Sequence, residues 1–258
     1  MSVRLHHDSV GPADGSVLVL SGAVGSTIEM WKPNLDSLAE QVRVVRLDHR
    51  GHGGSATPSR PYAIADLAGD ALATLDSLEI KQFAWCGLSM GAAIGMEIAT
   101  TRPDRVTSLT LCGTSARFNS PLLWRDRADR TAQGGTRAIA MEIVERWFTP
   151  EWAQAHPAEV ATAQQWVSST SDEGYRGCCE AIANWNHREH LSEIQAPTLL
   201  IFGNRDTATP VDPDAVALKK GIPNATLKII GGAHLATMES PGVANSLIRQ
   251  HLIRYGGA

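Results

Sequence analysis

Phe83-Ala84-Trp85-Cys86-Gly87-Leu88-Ser89-Met90-Gly91-Ala92-Ala93-Ile94-Gly95-Met96-Glu97-Ile98-Ala99 decides the reading of this chain. An apolar run of strand length leads in, and a run of small and apolar residues leads out as a helix. Between them stands a serine, with glycine two positions before it and two after. A serine held on so tight a strand-to-helix turn adopts strained backbone angles, and bulk at either flanking position would collide with the chain. The five-residue pattern alone arises by chance in roughly one chain in seven of this size and composition. The strand before it and the helix after it narrow the reading to an exposed nucleophile. The alternative is a helix N-cap, which serine also favours.

The same alternation runs outward in both directions. Strand-length apolar runs occur at Val17–Leu20, Val42–Leu47, Val106–Cys112, Thr198–Phe202 and Thr226–Ile230. Helical spacing occurs at Met30–Glu40, Ala63–Leu78, Pro213–Lys220 and Pro241–Arg254. A β-α-β-α succession of near-continuous apolar strands predicts an α/β fold with a mostly parallel central sheet flanked by helices. From Ser115 to Glu193 the strand rhythm stops. That stretch is rich in Trp, Arg, Ala and Glu, with Pro121, Pro150 and Pro157 at helix starts or breaks. It predicts an inserted α-helical cap over residues 115–193, with the core formed by 1–114 and 194–258. An insertion of that length between strands reads as a lid rather than a loose loop.

The bulk numbers exclude other classes. The chain has 258 residues, enough for a large core, and a formal net charge of −4. No block of like charge stands out, which argues against nucleic acid or an anionic membrane surface as partner. No stretch approaches the ~20 apolar residues that span a bilayer. The N-terminus lacks an apolar signal core, so a soluble, cytoplasmic protein is expected. Cys86, Cys112, Cys178 and Cys179 have no zinc spacing and read as buried or incidental thiols in a reducing compartment.

A serine hydroxyl needs a base to take its proton, and the base needs a third group to orient it. Asp206 follows the strand at 198–202 through Gly203-Asn204-Arg205, and His234 follows the strand at 226–230 through Gly231-Gly232-Ala233. The expected set is Ser89 as nucleophile, His234 as base and Asp206 as orienting acid, in the chain order Ser, acid, His. Asp206 could instead be a plain turn residue; Asp212 and Asp214 stand nearer the next helix and read as caps. The Gly-rich approach to His234 is read as freedom to reach back over Ser89. Attack on a carbonyl builds an oxyanion that needs two backbone N–H donors. Met90 is expected to supply one, at a helix N-terminus where the dipole helps. Ala23 in Ser21-Gly22-Ala23-Val24-Gly25 is expected to supply the other. His49 and His52, in the loop Asp48–Ser55, read as structural or substrate-lining rather than catalytic.

These residues resemble the α/β-hydrolase fold family over nearly the whole chain, and within it the sequence is similar to the 3-oxoadipate enol-lactonases. The matching stretches include Leu20–Gly25 with Met30-Trp31, Asp48-x-Arg50-Gly51-His52-Gly53-x-Ser55, Cys86–Gly91, Arg146–Thr149, Glu173-Gly174-Tyr175 and Gly203-x-x-Asp206-x-Ala208-Thr209-Pro210. The resemblance implies opening of a five-membered enol-lactone by water to give 3-oxoadipate in aromatic catabolism, without cofactor or metal. It implies a small lactone or ester bearing a carboxylate as substrate, with homo-oligomerisation left open. Trp124-x-x-Arg127 also matches, so Arg127 would hold that carboxylate while Trp124 and Trp147 wall the ring. The chain departs from the family at Ala23-Val24, at Asn184–Arg188 and at Thr237–Ser240. The same fold also carries carboxylesterases, C–C hydrolases, cofactor-free perhydrolases and non-catalytic small-molecule receptors.

Overall fold

The computed structural model describes residues 2–118 and 120–256. Strand β4 (Phe83–Leu88) is buried along its whole length and forms the centre of the molecule. It is flanked by β2 (Val17–Ser21) and β5 (Val106–Cys112), each parallel to it. Beyond them lie β3 (Arg43–Leu47), β6 (Thr198–Gly203) and β7 (Ala225–Ile230), also parallel. Strand β1 (His7–Val10) adds to β3 in the antiparallel sense and completes the order β1-β3-β2-β4-β5-β6-β7. Strands buried on both faces read as unbroken apolar runs, which is why β2 through β6 were legible. Strand β1 was not expected. Its residues, His-Asp-Ser-Val, carry no apolar pattern. Side-chain pairing supports it instead: the Arg46 guanidinium of β3 donates to the Asp8 carboxylate, with Nε at 2.9 Å.

Helices α1 (Lys32–Ala39), α2 (Ile64–Ser77), α3 (Met90–Thr101), α8 (Val216–Gly221) and α10 (Pro241–Tyr255) flank the sheet. Helix α1 packs on α10, and α2 on α3. The helix expected from Met30 begins later, after a 3-10 turn at Ile28–Trp31; Pro33 stands in its first turn, where a missing N–H costs nothing.

Between β5 and β6 the described residues form four α-helices, α4 (Pro121–Glu145), α5 (Pro150–Ala155), α6 (Pro157–Ser169) and α7 (Asp172–Ala183), and a 3-10 turn at Arg188–Glu193. Pro121, Pro150 and Pro157 each open one, as their positions led one to expect. Helix α4 is two segments bent at Gly135, whose φ is 73°. The bend exposes the N–H of Thr136, and Asp172 at the start of α7 accepts it at 2.7 Å. Gly174 of α7 packs on Gly51 of the core so closely that a Cβ on Gly51 would lie 2.4 Å from the Gly174 Cα. Ser171 N–H also donates to the Gly51 carbonyl at 3.0 Å. The start of α7 is therefore tied by backbone contact to the loop that follows β3.

Candidate active site

The elbow is built by close approach. A Cβ on Gly87 would sit 2.3 Å from the Gly91 carbonyl oxygen, and one on Gly91 would sit 2.2 Å from that of Ser21. Only glycine permits either. Ser89 itself has φ 56° and ψ −114°, a conformation that costs a side-chain-bearing residue about 1–3 kcal/mol. The surrounding ladder holds it there. Ser89 N–H donates to Cys112 on β5 at 2.9 Å, its carbonyl accepts from Thr114 Oγ1 at 2.9 Å, and Gly91 N–H donates to Gly22 at 3.0 Å.

His234 Nδ1 lies 2.9 Å from Asp206 Oδ2, with both side chains buried. The Asp206 carboxylate is fully engaged. Its Oδ1 accepts from the N–H groups of Ala208 (2.8 Å) and Thr209 (3.1 Å), and Oδ2 also accepts from Thr209 Oγ1 at 2.7 Å. Burial alone would raise this carboxyl's pKa. The His234 charge and the Thr209 hydrogen bonds outweigh burial and hold it below the usual carboxylate range. The competitor Asp214 turns elsewhere, accepting from Ser115 Oγ at 2.7 Å, and burial pushes its pKa up. Thr209, three residues past Asp206, is a partner to which sequence reading gave no role; the Asp-x-x-Thr spacing was its signal.

Ser89 and His234 open into one cavity, with Ala23, Trp124, Arg127 and Trp147 among its walls. Six of the eight residues singled out in the sequence thus meet there. Asp206 stands behind His234, and Met90 offers the cavity no side chain. Among the described residues no hydrogen bond joins the Ser89 hydroxyl to His234. The Arg127 guanidinium lies 4.6 Å from the Trp124 ring centroid, a cation–π contact. Phe118 meets the same tryptophan edge-on at 6.0 Å. Sequence reading missed Phe118, Ile143, Arg130 and Arg146 as further lining residues. They come from the helical stretch between β5 and β6, where nothing local marks which helix face turns inward.

The loop after β2 is held open by two histidines. His49 Nε2 donates to the Gly22 carbonyl at 3.0 Å. His52 Nε2 accepts from the Gly25 N–H at 2.8 Å, while its Nδ1 donates to Arg50 at 3.0 Å, so His52 is neutral. With Gly91 N–H on Gly22, these bonds fix residues 21–25 beside the elbow. Among the described residues, the N–H groups of Ala23 and Met90 have no hydrogen-bond partner. Neither histidine lines the cavity, so the structural alternative holds and the lining one does not.

Burial pushes the His52 pKa down to about 4, helped by His49; burial likewise pushes His187 down to about 4, helped by His190. The unfolded chain therefore binds more protons than the folded one between the ordinary histidine value and about 4. Their contribution to stability is complete above that ordinary value and is lost as pH falls through the window. The melting temperature is expected to drop from about pH 7 to about pH 4.5, and to drop less in His52→Gln. Equal slopes for parent and variant in thermal denaturation would refute the assignment to His52.

The family model for the alpha/beta hydrolase fold matches residues 15–241, and the chain belongs to that family. It stands among the ester-cleaving hydrolases of the fold. It is 33% identical over 253 residues to 3-oxoadipate enol-lactonase 2 of Acinetobacter baylyi, covering 98% of this chain and 94% of that one. The crystal structure of the enol-lactonase from Burkholderia xenovorans LB400 superposes with a TM-score of 0.94 at 33% identity, covering 96% of both chains. A thermophilic esterase from Thermogutta terrifontis superposes with a TM-score of 0.91 at 26% identity, covering 97% of this chain and 93% of that one. Among the described residues no helix is long and apolar enough to cross a membrane, and no group of three His, Cys, Asp or Glu could hold a metal ion.

Proposed function

We propose that the chain hydrolyses a small carboxylate-bearing lactone, 3-oxoadipate enol-lactone, to 3-oxoadipate through a serine acyl-enzyme. His234 takes the Ser89 proton as Ser89 Oγ attacks the ring carbonyl. Asp206 fixes the tautomer that leaves Nε2 of His234 free as base. The N–H groups of Ala23 and Met90 receive the oxyanion. The tetrahedral intermediate collapses by breaking the ring C–O bond. The enolate leaving group stays tethered in the acyl chain and takes the proton from His234, which is then neutral again. Water, deprotonated by His234, then cleaves the acyl ester and frees Ser89. The contact between Ser89 and His234 closes with substrate bound, as catalytic hydrogen bonds in unliganded enzymes commonly do.

The observation that carries this reading is the shared cavity. It joins Ser89, the Asp206-bonded His234 and the loop of Ala23 to an aromatic wall beside the guanidiniums of Arg127, Arg130 and Arg146. Residues 115–193 act in this reading as a cap that supplies Trp124, Arg127 and Trp147, over a core of 1–114 and 194–258. The likeness to enol-lactonases at 33% identity supports the lactone in particular. Four free, buried cysteines accord with a cytoplasmic location and the reducing conditions there.

Arg127 supplies the test of substrate class. Its fork pairs bidentately with a carboxylate, and a neutral aryl ester gains nothing from it. In Arg127→Leu the ratio of kcat/KM for the enol-lactone to that for an aryl acetate is expected to fall about 10- to 100-fold. An unchanged ratio refutes the carboxylate assignment. Parent enzyme that prefers the aryl acetate outright replaces the lactonase by a general carboxylesterase.

A further inference from the structure

The loop that carries His234 is clamped. Gly232 N–H donates to Asn204 Oδ1 at 3.2 Å, and its carbonyl accepts from Arg205 N–H at 2.9 Å. A Cβ on Gly203 would lie 2.2 Å from the Ala233 carbonyl oxygen, and one on Gly232 2.9 Å from the Ala236 Cα. Gly232, two residues before His234, and Gly203 therefore serve close approach, not the freedom that a Gly-rich loop implies; a Cβ on Gly231 would meet only Ser240 Oγ, at 3.6 Å.

One side chain draws this clamp across to the helical insertion. Glu239 ends the single-turn helix α9 (Ala236–Glu239), and long helical side chains lean back towards the helix start. There its Oε1 accepts the Ala233 N–H at 2.6 Å, immediately before His234. The same carboxylate accepts the Thr149 hydroxyl at 2.5 Å and the Thr149 N–H at 3.2 Å, ninety residues away in sequence. A second tie runs parallel to it: Leu235 N–H donates to the Trp147 carbonyl at 2.9 Å. Trp147 walls the cavity, and His234 faces into it.

We propose that Glu239 is a positioning residue that locks the backbone bearing His234 to the segment bearing Trp147, so that the base and the substrate wall keep one fixed separation. The proposal rests on the reading of Ser89 and His234 given above. Every partner of the carboxylate is a donor: two backbone N–H groups and one hydroxyl. A carboxylate accepts all of them at once. In Glu239→Gln the amide NH2 must face Thr149, whose hydroxyl can turn to accept it, and in Glu239→Ala all three lose their acceptor. Geometry at the reacting centre sets the rate steeply; a displacement of about 1 Å costs on the order of a hundredfold. A role in folding alone would lower the melting temperature and leave the reactivity of folded molecules as it was.

The experiment measures the rate at which a fluorophosphonate labels Ser89, normalised to the folded fraction, in Glu239→Ala, Glu239→Gln, Thr149→Val and Thr149→Ser. Thr149→Val removes the hydroxyl and keeps the N–H; Thr149→Ser restores the hydroxyl. The expected result is a fall of about 10- to 100-fold for Glu239→Ala, a smaller fall for Glu239→Gln and Thr149→Val, and recovery to near the parent rate for Thr149→Ser. The Glu239→Ala, Thr149→Val pair is expected to cost little more than Glu239→Ala alone, since both cut one contact. Folded Glu239→Ala and Thr149→Val that label within about threefold of the parent overturn the proposal. If Glu239→Ala does not fold, Thr149→Val and Glu239→Gln decide by the same criterion. A parent whose Ser89 is not labelled removes the reading of the site and this proposal together. A labelled parent with equally labelled variants removes this proposal alone.

Discussion

Ser89→Ala is expected to lower kcat on an activated aryl ester by about 10⁴- to 10⁶-fold, the range seen when a nucleophile that acts as one unit with its base is removed. The variant should fold. Alanine keeps the Cβ that already tolerates φ 56°, and among the described residues the Ser89 hydroxyl has no hydrogen-bond partner to strand. The backbone bonds that hold the elbow, Ser89 N–H to Cys112 and Gly91 N–H to Gly22, do not involve the side chain. A melting temperature close to the parent's, with turnover gone, is therefore the predicted pair of results. Residual hydrolysis above water would come from the donors at Ala23 and Met90 and from substrate binding. Turnover within tenfold of the parent would reject Ser89 as nucleophile and move the case towards a different reacting group.

The fold and the elbow were legible in the sequence because their causes are local. Apolar runs of strand length mark β2 to β7, and the glycines at 87 and 91 announce a turn that admits no Cβ. Asp206 and His234 were legible because each follows such a strand within a few residues. The rest depends on long-range contact. Strand β1 is polar and owes its place to pairing with β3 across some forty residues. The role of His52 lies in a bond to Gly25, twenty-seven residues back. Glu239 looks like any acidic residue in a helix until Thr149 arrives from the insertion. Lining residues such as Ile143 and Arg146 face the cavity because of how α4 bends at Gly135 and packs, and no periodicity encodes that direction.

Asp206→Asn is expected to cut kcat by about 10⁴-fold while leaving the shape of the site intact, and the reason lies in which atoms donate. The Asp206 Oδ1 accepts two backbone N–H groups, from Ala208 and Thr209. The asparagine must keep its one oxygen there, because turning the amide NH2 towards those donors would leave them unpaired in a buried place. Its NH2 is then forced onto the other side, facing Thr209 Oγ1 and His234 Nδ1. Thr209 adapts, since a hydroxyl accepts as well as donates. His234 adapts only by becoming an acceptor at Nδ1, which moves its proton to Nε2, the nitrogen that must be empty to deprotonate Ser89. The base is blocked by a change of tautomer with almost no movement of atoms. Nitrogen NMR of the imidazole should report the switch directly, with the proton on Nδ1 in the parent and on Nε2 in the variant. Stability should respond as well. The Asp206 carboxyl is held below its ordinary range, so the charged form adds stability above the unfolded-state value, and that contribution fades as pH falls through the folded-state value. The variant lacks this acid-side loss, so the gap in melting temperature between parent and variant should narrow on acidification. A loss of turnover under tenfold, or an unaltered tautomer, would detach Asp206 from catalysis and leave it a structural partner of the Thr209 turn.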